Sequence, residues 1–244
     1  MTQNIYDEPE FFAGYSQLER SERGLDGAPE WPAIRDLIPD LSGKVVVDLG
    51  CGFGWFARWA REAGAARVLA LDVSENMIAR ARQDTHDPGI DYRIADLNRL
   101  SLPDDEFDLA YSSLAFHYIE DFDHLVENIR RGLRPNGQLV FSIEHPIYMA
   151  PEAPGWIDLN SRKTWPVNQY LVEGQRVMNW LADGVIKYHR TIGTTLNSLI
   201  RRGFAIDHVL EWRPVETQIR DKPALTDEME RPMILVVKAL RLVR

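Results

Sequence analysis

Seven residues, DLGCGFG from Asp48 to Gly54, set an acid and three glycines in one short run. Without side chains, backbone amides can approach a ligand directly. Three valines precede the run and WFARWAREAG follows it with apolar residues at helical spacing, so the glycines sit in a strand-to-helix turn. Such turns, at the carboxyl ends of parallel strands, are where ligands bind. Asp72 closes the next apolar run 22 positions after Gly50, near the roughly 20-residue spacing at which an acid grips a ribose hydroxyl pair. Turn and acid together imply an adenosine ligand. The dinucleotide pattern G-x-G-x-x-G is not met, and Asp48 would oppose a pyrophosphate; it suits a cationic ammonium group. Cys51 reads as a small apolar filler.

These residues need a frame of alternating elements. KVVVDL, RVLALDV, DYRIADL, FDLAYSSL and QLVFSIE read as strands. Helices are expected over 54–63, over SENMIARARQ capped by Ser74, and over DFDHLVENIRRGL. After residue 190, Ile192, Leu196, Leu199 and Ile200 share one helical face, Gly203 closes that helix, and FAIDHVLEW and MILVVKAL are the last strands. The alternation predicts an α/β fold, a doubly wound, mostly parallel, seven-stranded Rossmann-like sheet. A single domain is expected over 1–244, with an N-terminal arm and edge helix over 1–40. Residues 146–190 form an insertion, read as a substrate cap, with a hairpin turned at Asp183 and Gly184.

The net charge of -9 offers no extended basic field for nucleic acid. A lone cysteine excludes an internal disulfide and fits a reducing compartment, so a cytoplasmic location is expected. The first residues, MTQNIYDEPEFF, do not read as a signal peptide, and no apolar run approaches the roughly 20 residues of a membrane helix. No cluster has metal-ligand spacing, and no metal is expected.

DLGCGFG, the acid of ALDVSENM, the ADL after the third strand, and FDLAYSSLAFHYIED followed by LRPNGQLVFS resemble the motif series of class I S-adenosylmethionine-dependent methyltransferases. The resemblance covers residues 44–143 in order and implies an antiparallel last strand and an inserted cap. It places Gly50 and Gly52 against the methionine part of S-adenosyl-L-methionine, with Asp48, Cys51 and Gly54 also in the cofactor site, and Asp72 on its ribose. Val73 and Met77 would flank the adenine, Asp96 with the backbone of Ala95 and Leu97 would read its amino group, and the backbone near Ser112 and Leu114 would face the methionine end. S-adenosyl-L-homocysteine would be the product. Non-catalytic cofactor binding and NAD-dependent oxidoreduction are the competing readings; no Tyr-x-x-x-Lys pair supports the latter.

In-line methyl transfer needs positioning and exclusion of water rather than a nucleophilic side chain. A proton acceptor matters only for an acceptor that carries a proton. His117, Glu144 and His145 are candidates, each with packing as the plain alternative. A carboxylate acceptor would want a cation instead, from Arg162, Lys163, Arg176, Lys187 or Arg190. Tyr6, Tyr15, Trp165 and Arg190 are expected to line the acceptor pocket, with Phe11 and Phe12 in a closing arm. The acceptor is read as a small or carrier-bound metabolite. The insertion's apolar residues suit a pocket or a dimer contact equally.

Overall fold

Three consecutive valines give β1 (Val45–Leu49), buried at every residue, as expected of a strand covered on both faces. Around it lie β2 (Arg67–Asp72), β3 (Ile90–Ile94), β4 (Phe107–Ser113), β5 (Leu133–Glu144), and two late strands, Phe204–Glu211 and Ile234–Arg241. The computed structural model describes residues 2–243; Met1 and Arg244, the ends of the expected domain, lie outside the described residues.

Strands β1 to β5 run parallel. Between β5 and the late strands the chain forms two small hairpins, β6 (Ile157–Leu159) with β7 (Arg162–Thr164), and β8 (Gly174–Trp180) with β9 (Ala182–His189). The late strands are therefore β10 and β11, and the sheet order is β10-β11-β5-β4-β1-β2-β3. Within this sheet β11 runs antiparallel to both of its neighbours, β5 and β10. The order reverses between β1 and β4, which opens a crevice at their carboxyl ends.

Alternation along β1 splits the core. Val45 and Val47 join Leu125, Ile129 and Leu199 in one cluster, while Val46 joins Phe56, Ala60 and Ile78 in another. In chain order the helices are α1 (Pro9–Ser16), α2 (Glu19–Glu22), α3 (Trp31–Arg35), α4 (Trp55–Glu62), α5 (Glu75–Gln83), α6 (Phe122–Gly132), α7 (Pro146–Met149), α8 (Ile192–Arg201) and α9 (Glu216–Asp221). Helix α5 begins where the Ser74 hydroxyl accepts the Met77 amide at 3.0 Å. Helix α6 begins in the same way at Asp121, which accepts the His124 amide at 2.9 Å.

Three local expectations are corrected. Helix α3 packs on a sheet face rather than an edge, because Trp31 meets Phe56 and Trp59 of α4 at ring separations of 6.3 and 4.8 Å. The β8–β9 hairpin reverses at Leu181, whose φ is 60°, with Trp180 opposite Ala182. Gly184 instead lies within a bulge, where its amide meets Asn179 Oδ1 at 3.2 Å. Ile200 faces solvent although Leu199 is fully buried, since neighbouring helical positions lie about 100° apart.

The N-terminal arm folds over the hairpin. Ile5, Phe11 and Val185 make a small separate core, flanked by Tyr6, Tyr15, Tyr118 and Trp180.

Candidate active site

The turn after β1 is fastened to β2 by the Gly50 and Cys51 amides, which donate to the Leu71 carbonyl at 2.8 and 2.9 Å. All three glycines have positive φ, yet their missing side chains serve different ends. A Cβ on Gly50 would strike the Ala115 methyl at 2.4 Å, and one on Gly54 the Tyr92 hydroxyl at 2.2 Å. At Gly52 it would meet nothing within 4 Å. Protein packing therefore demands two of the glycines, and only Gly52 opens onto free space.

Asp72 reaches into this turn from the end of β2. Its Oδ2 accepts the Gly52 amide at 2.8 Å and its Oδ1 the Ser74 amide at 3.0 Å, leaving lone pairs on both oxygens for further donors. Burial raises its pKa against the pull of those amide bonds. Asp48 lies beneath, 1% exposed, and its Oδ2 has no hydrogen-bond partner among the described residues. Burial, and then the charge of Asp72, push the Asp48 carboxyl well above the usual range. A buried carboxylate oxygen without a donor beside an open glycine turn fits an ammonium-bearing ligand.

A chamber of about 650 Å³ runs from this turn into the space under the arm. Asp48, Gly50, Cys51, Gly52, Asp72, Val73, Met77, Asp96, Leu97 and Leu114 line it, and so do Tyr6, Tyr15, His117, Tyr118, Glu144, Tyr148 and Trp180. Tyr15 packs edge-on against Phe53 of the glycine turn at 6.0 Å. Asp96 accepts the Thr2 hydroxyl at 2.6 Å and the Asn98 amide at 2.9 Å, so arm and chamber floor share one carboxylate.

Six expected residues lie elsewhere. Gly54 packs on Tyr92. Ala95 lines a separate groove of about 590 Å³ along β3. The Ser112 hydroxyl is bound to the Leu49 carbonyl at 2.7 Å inside the sheet, although Ser113 and Leu114 beside it, part of the backbone expected to face the methionine end, do line the chamber. Trp165 stacks behind Tyr148 at 5.5 Å and donates its Nε1–H to the Ile147 carbonyl at 3.1 Å. The Arg231 guanidinium fills the cage beside them, 4.3 Å from the Trp165 ring and 4.6 Å from that of Tyr148. Arg190 is held by the Ile119 and Glu120 carbonyls, and burial lowers its pKa to about 10.

His145 is the sixth. Its Nδ1 accepts the Ile147 amide at 3.1 Å to cap α7, and its Nε2 meets Glu211 Oε1 of β10 at 2.9 Å. Fully buried, it reaches no part of the chamber. His117 does line the chamber, but its Nδ1 accepts the Glu144 amide at 3.3 Å. That bond assigns the proton to Nε2. Burial, then Lys187 and Arg190, hold the ring well below its usual pKa. His117 is thus a neutral hydrogen-bond donor, and Glu144 alone of the three candidates offers the chamber a proton acceptor. Glu144 Oε1 pairs with Lys187 Nζ at 2.5 Å, while its Oε2 has no partner among the described residues.

Tyr148 and Trp180 belong to the insertion whose aromatic residues suit a pocket, whereas Tyr118 lies outside it and only the fold brings it to them. Asp7 was equally silent. Its carboxylate accepts the Ser74 hydroxyl at 2.5 Å and the Glu75 and Asn76 amides at 3.2 and 3.0 Å, capping α5 from the arm. A cap supplied from 67 residues away leaves no local pattern.

The switch-point crevice, the nucleoside-type turn and the enclosed second compartment define a Rossmann-like group-transfer enzyme. Residues 47–141 match the methyltransferase domain family. An S-adenosylmethionine-dependent methyltransferase from Mesorhizobium loti is 58% identical, with a TM-score of 0.87 over 89% of this chain and all of that one. A protein of Listeria monocytogenes is 36% identical, with a TM-score of 0.81 over 88% of this chain and 99% of the other. The malonyl-[acyl-carrier protein] O-methyltransferase of Serratia marcescens is 37% identical over 102 residues, covering 41% of this chain and only 38% of that protein. The chain belongs to the S-adenosylmethionine-dependent methyltransferases, and S-adenosyl-L-methionine is its cofactor. This sets aside the nicotinamide and non-catalytic readings.

Proposed function

We propose that the enzyme methylates a small or carrier-bound metabolite seated in the aromatic end of the chamber, by in-line displacement. One observation carries this reading: the glycine turn and the tyrosines line the same cavity, so donor and acceptor would meet without crossing solvent. When bound, the cofactor supplies an electrophilic methyl group on a sulfonium.

The chain's residues divide the remaining work. Asp48 and the Gly52 turn would hold the ammonium end and Asp72 the ribose hydroxyls. Met77 and Leu97 would contact the adenine, with Asp96 accepting its amino group. Residues 146–190 and the arm of residues 2–40 would act as a cap over one domain, with Tyr6, Tyr15 and Trp180 keeping water from the acceptor. The resemblance to the Serratia enzyme supports a carrier-bound or small acceptor, and the net charge of -9 speaks against nucleic acid. No helix among the described residues is long and apolar enough to cross a membrane; a cytoplasmic location fits this reading.

The test is S-adenosylhomocysteine release with size-fractionated cell extract. Turnover with the small-molecule or acyl-carrier fraction, lost in Asp72→Ala, is expected. Turnover only with nucleic acid or bulk protein would replace the reading.

A further inference from the structure

The chamber's acceptor end is unusual in what it leaves unpaired. Every cation expected to serve as a clamp is already engaged. Lys187 is 2% exposed and binds Glu144. Arg190 donates to two carbonyls, and Arg176 donates to the Ala150 and Val172 carbonyls at 3.2 and 2.7 Å. Arg162 and Lys163 pair with Glu230 and Asp227 away from the chamber. Of the cations that do line it, Arg20 forks onto Glu30 at 3.0 and 3.3 Å and Lys222 binds Glu19 at 2.8 Å. Unpaired capacity at this end is acidic instead: Glu144 Oε2 is buried with no donor among the described residues.

A buried carboxylate oxygen calls for an N–H or O–H. A second carboxylate placed beside it would meet like charge, and the one cation there, Lys187, is already paired with Glu144. The walls around it are aromatic, with Tyr6 donating its hydroxyl to that of Tyr118 at 3.1 Å and the Trp180 ring nearby. His117 adds one neutral donor at Nε2, which suits a lone pair on the acceptor.

We infer that the methyl acceptor is a protic nucleophile, an amine or hydroxyl group on an apolar or aromatic body, whose hydrogen is received by Glu144, and that it is not a carboxylate. This rests on the methyltransferase reading above and narrows its substrate class. In the transfer, the acceptor's lone pair forms the new bond to the methyl carbon as the carbon–sulfur bond breaks and leaves its electrons on sulfur. The acceptor's proton passes to Glu144 Oε2 and then to solvent with product.

The experiment uses the full chain with S-adenosylmethionine and three probes on one body: benzylamine, benzyl alcohol and benzoate. S-adenosylhomocysteine formation and methylated product are read for each. Turnover of the amine or the alcohol is expected, with benzoate inert. In Glu144→Gln, kcat should fall on the order of 10²- to 10⁴-fold, while cofactor affinity stays unchanged. The double variant Glu144→Gln with Lys187→Met removes the buried pair together, so a loss caused by one stranded charge is recognised. Methylation of benzoate, or protic turnover unaffected by either variant, overturns the inference. Failure to bind S-adenosylmethionine would instead strike the cofactor assignment, which calorimetry on the same samples reads separately.

Discussion

The Tyr92 hydroxyl occupies the space that a side chain at Gly54 would need, for an added Cβ would lie 2.2 Å from it. At Gly52 the corresponding Cβ meets no atom within 4 Å. Two glycines in one turn therefore answer to different surroundings, one to the packed protein and one to open space. Gly54→Ala should lower the melting temperature through this clash. Gly52→Ala adds only the backbone cost of its positive φ, about 1–2 kcal/mol, and should lose cofactor affinity while still folding. Paired thermal melts and calorimetry on the two variants check the contrast.

Asp48 gives a proton-linkage prediction. Burial and then Asp72 raise its pKa, so Asp48 takes up a proton at a higher pH than an ordinary carboxyl does. An ammonium-bearing ligand selects the ionised form, and binding should release a proton and tighten as pH rises through that pKa. Calorimetry in buffers of different ionisation enthalpy reads the proton count directly. Asp48→Asn should abolish the release.

The arm is held by Asp7. Partial burial raises its pKa, but the Ser74 hydroxyl and the Asn76 and Glu75 amides outweigh that and hold it below the usual range. A lowered carboxyl pKa means stability present above the unfolded value and lost as pH falls through the folded one. Asp7→Ala should cost about 1 kcal/mol, the usual value of a cap. It should also speed cofactor release, read by stopped-flow chase with excess S-adenosylhomocysteine. An unchanged release rate would remove the arm from the cap.

His117 works in the opposite sense. Its pKa is lowered, by burial first and by Lys187 and Arg190 next, so the unfolded chain takes up its proton before the folded one does. Its contribution to stability is present above about pH 6.5 and declines as pH falls below that, by up to about 1.4 kcal/mol per pH unit. Denaturant melts of wild type and His117→Gln across that range should converge toward acid, with the wild type losing more.

How much was legible follows from the range of each signal. The β1 turn, the Asp72 spacing and the alternation of strands with helices were readable because each is local or rests on a fixed interval. His145 was not, for its partners are Ile147 and, across the sheet, Glu211. Trp165 shows the same limit: an aromatic residue in an insertion suits a pocket or a cage, and Arg231 decides for the cage from 66 residues away. Leu181 has no glycine or asparagine to announce its positive φ, so the Asp183-Gly184 pair drew the turn to the wrong place.

One chamber is proposed to hold the cofactor at Asp48, Gly52 and Asp72 and the acceptor beneath Tyr6, Tyr118 and Trp180. A crystal structure with S-adenosylhomocysteine checks that arrangement. The ammonium is expected near Asp48, the ribose on Asp72, and the sulfur facing the compartment that contains Glu144. A sulfur directed elsewhere, or a ligand seated in the groove along β3, would contradict it.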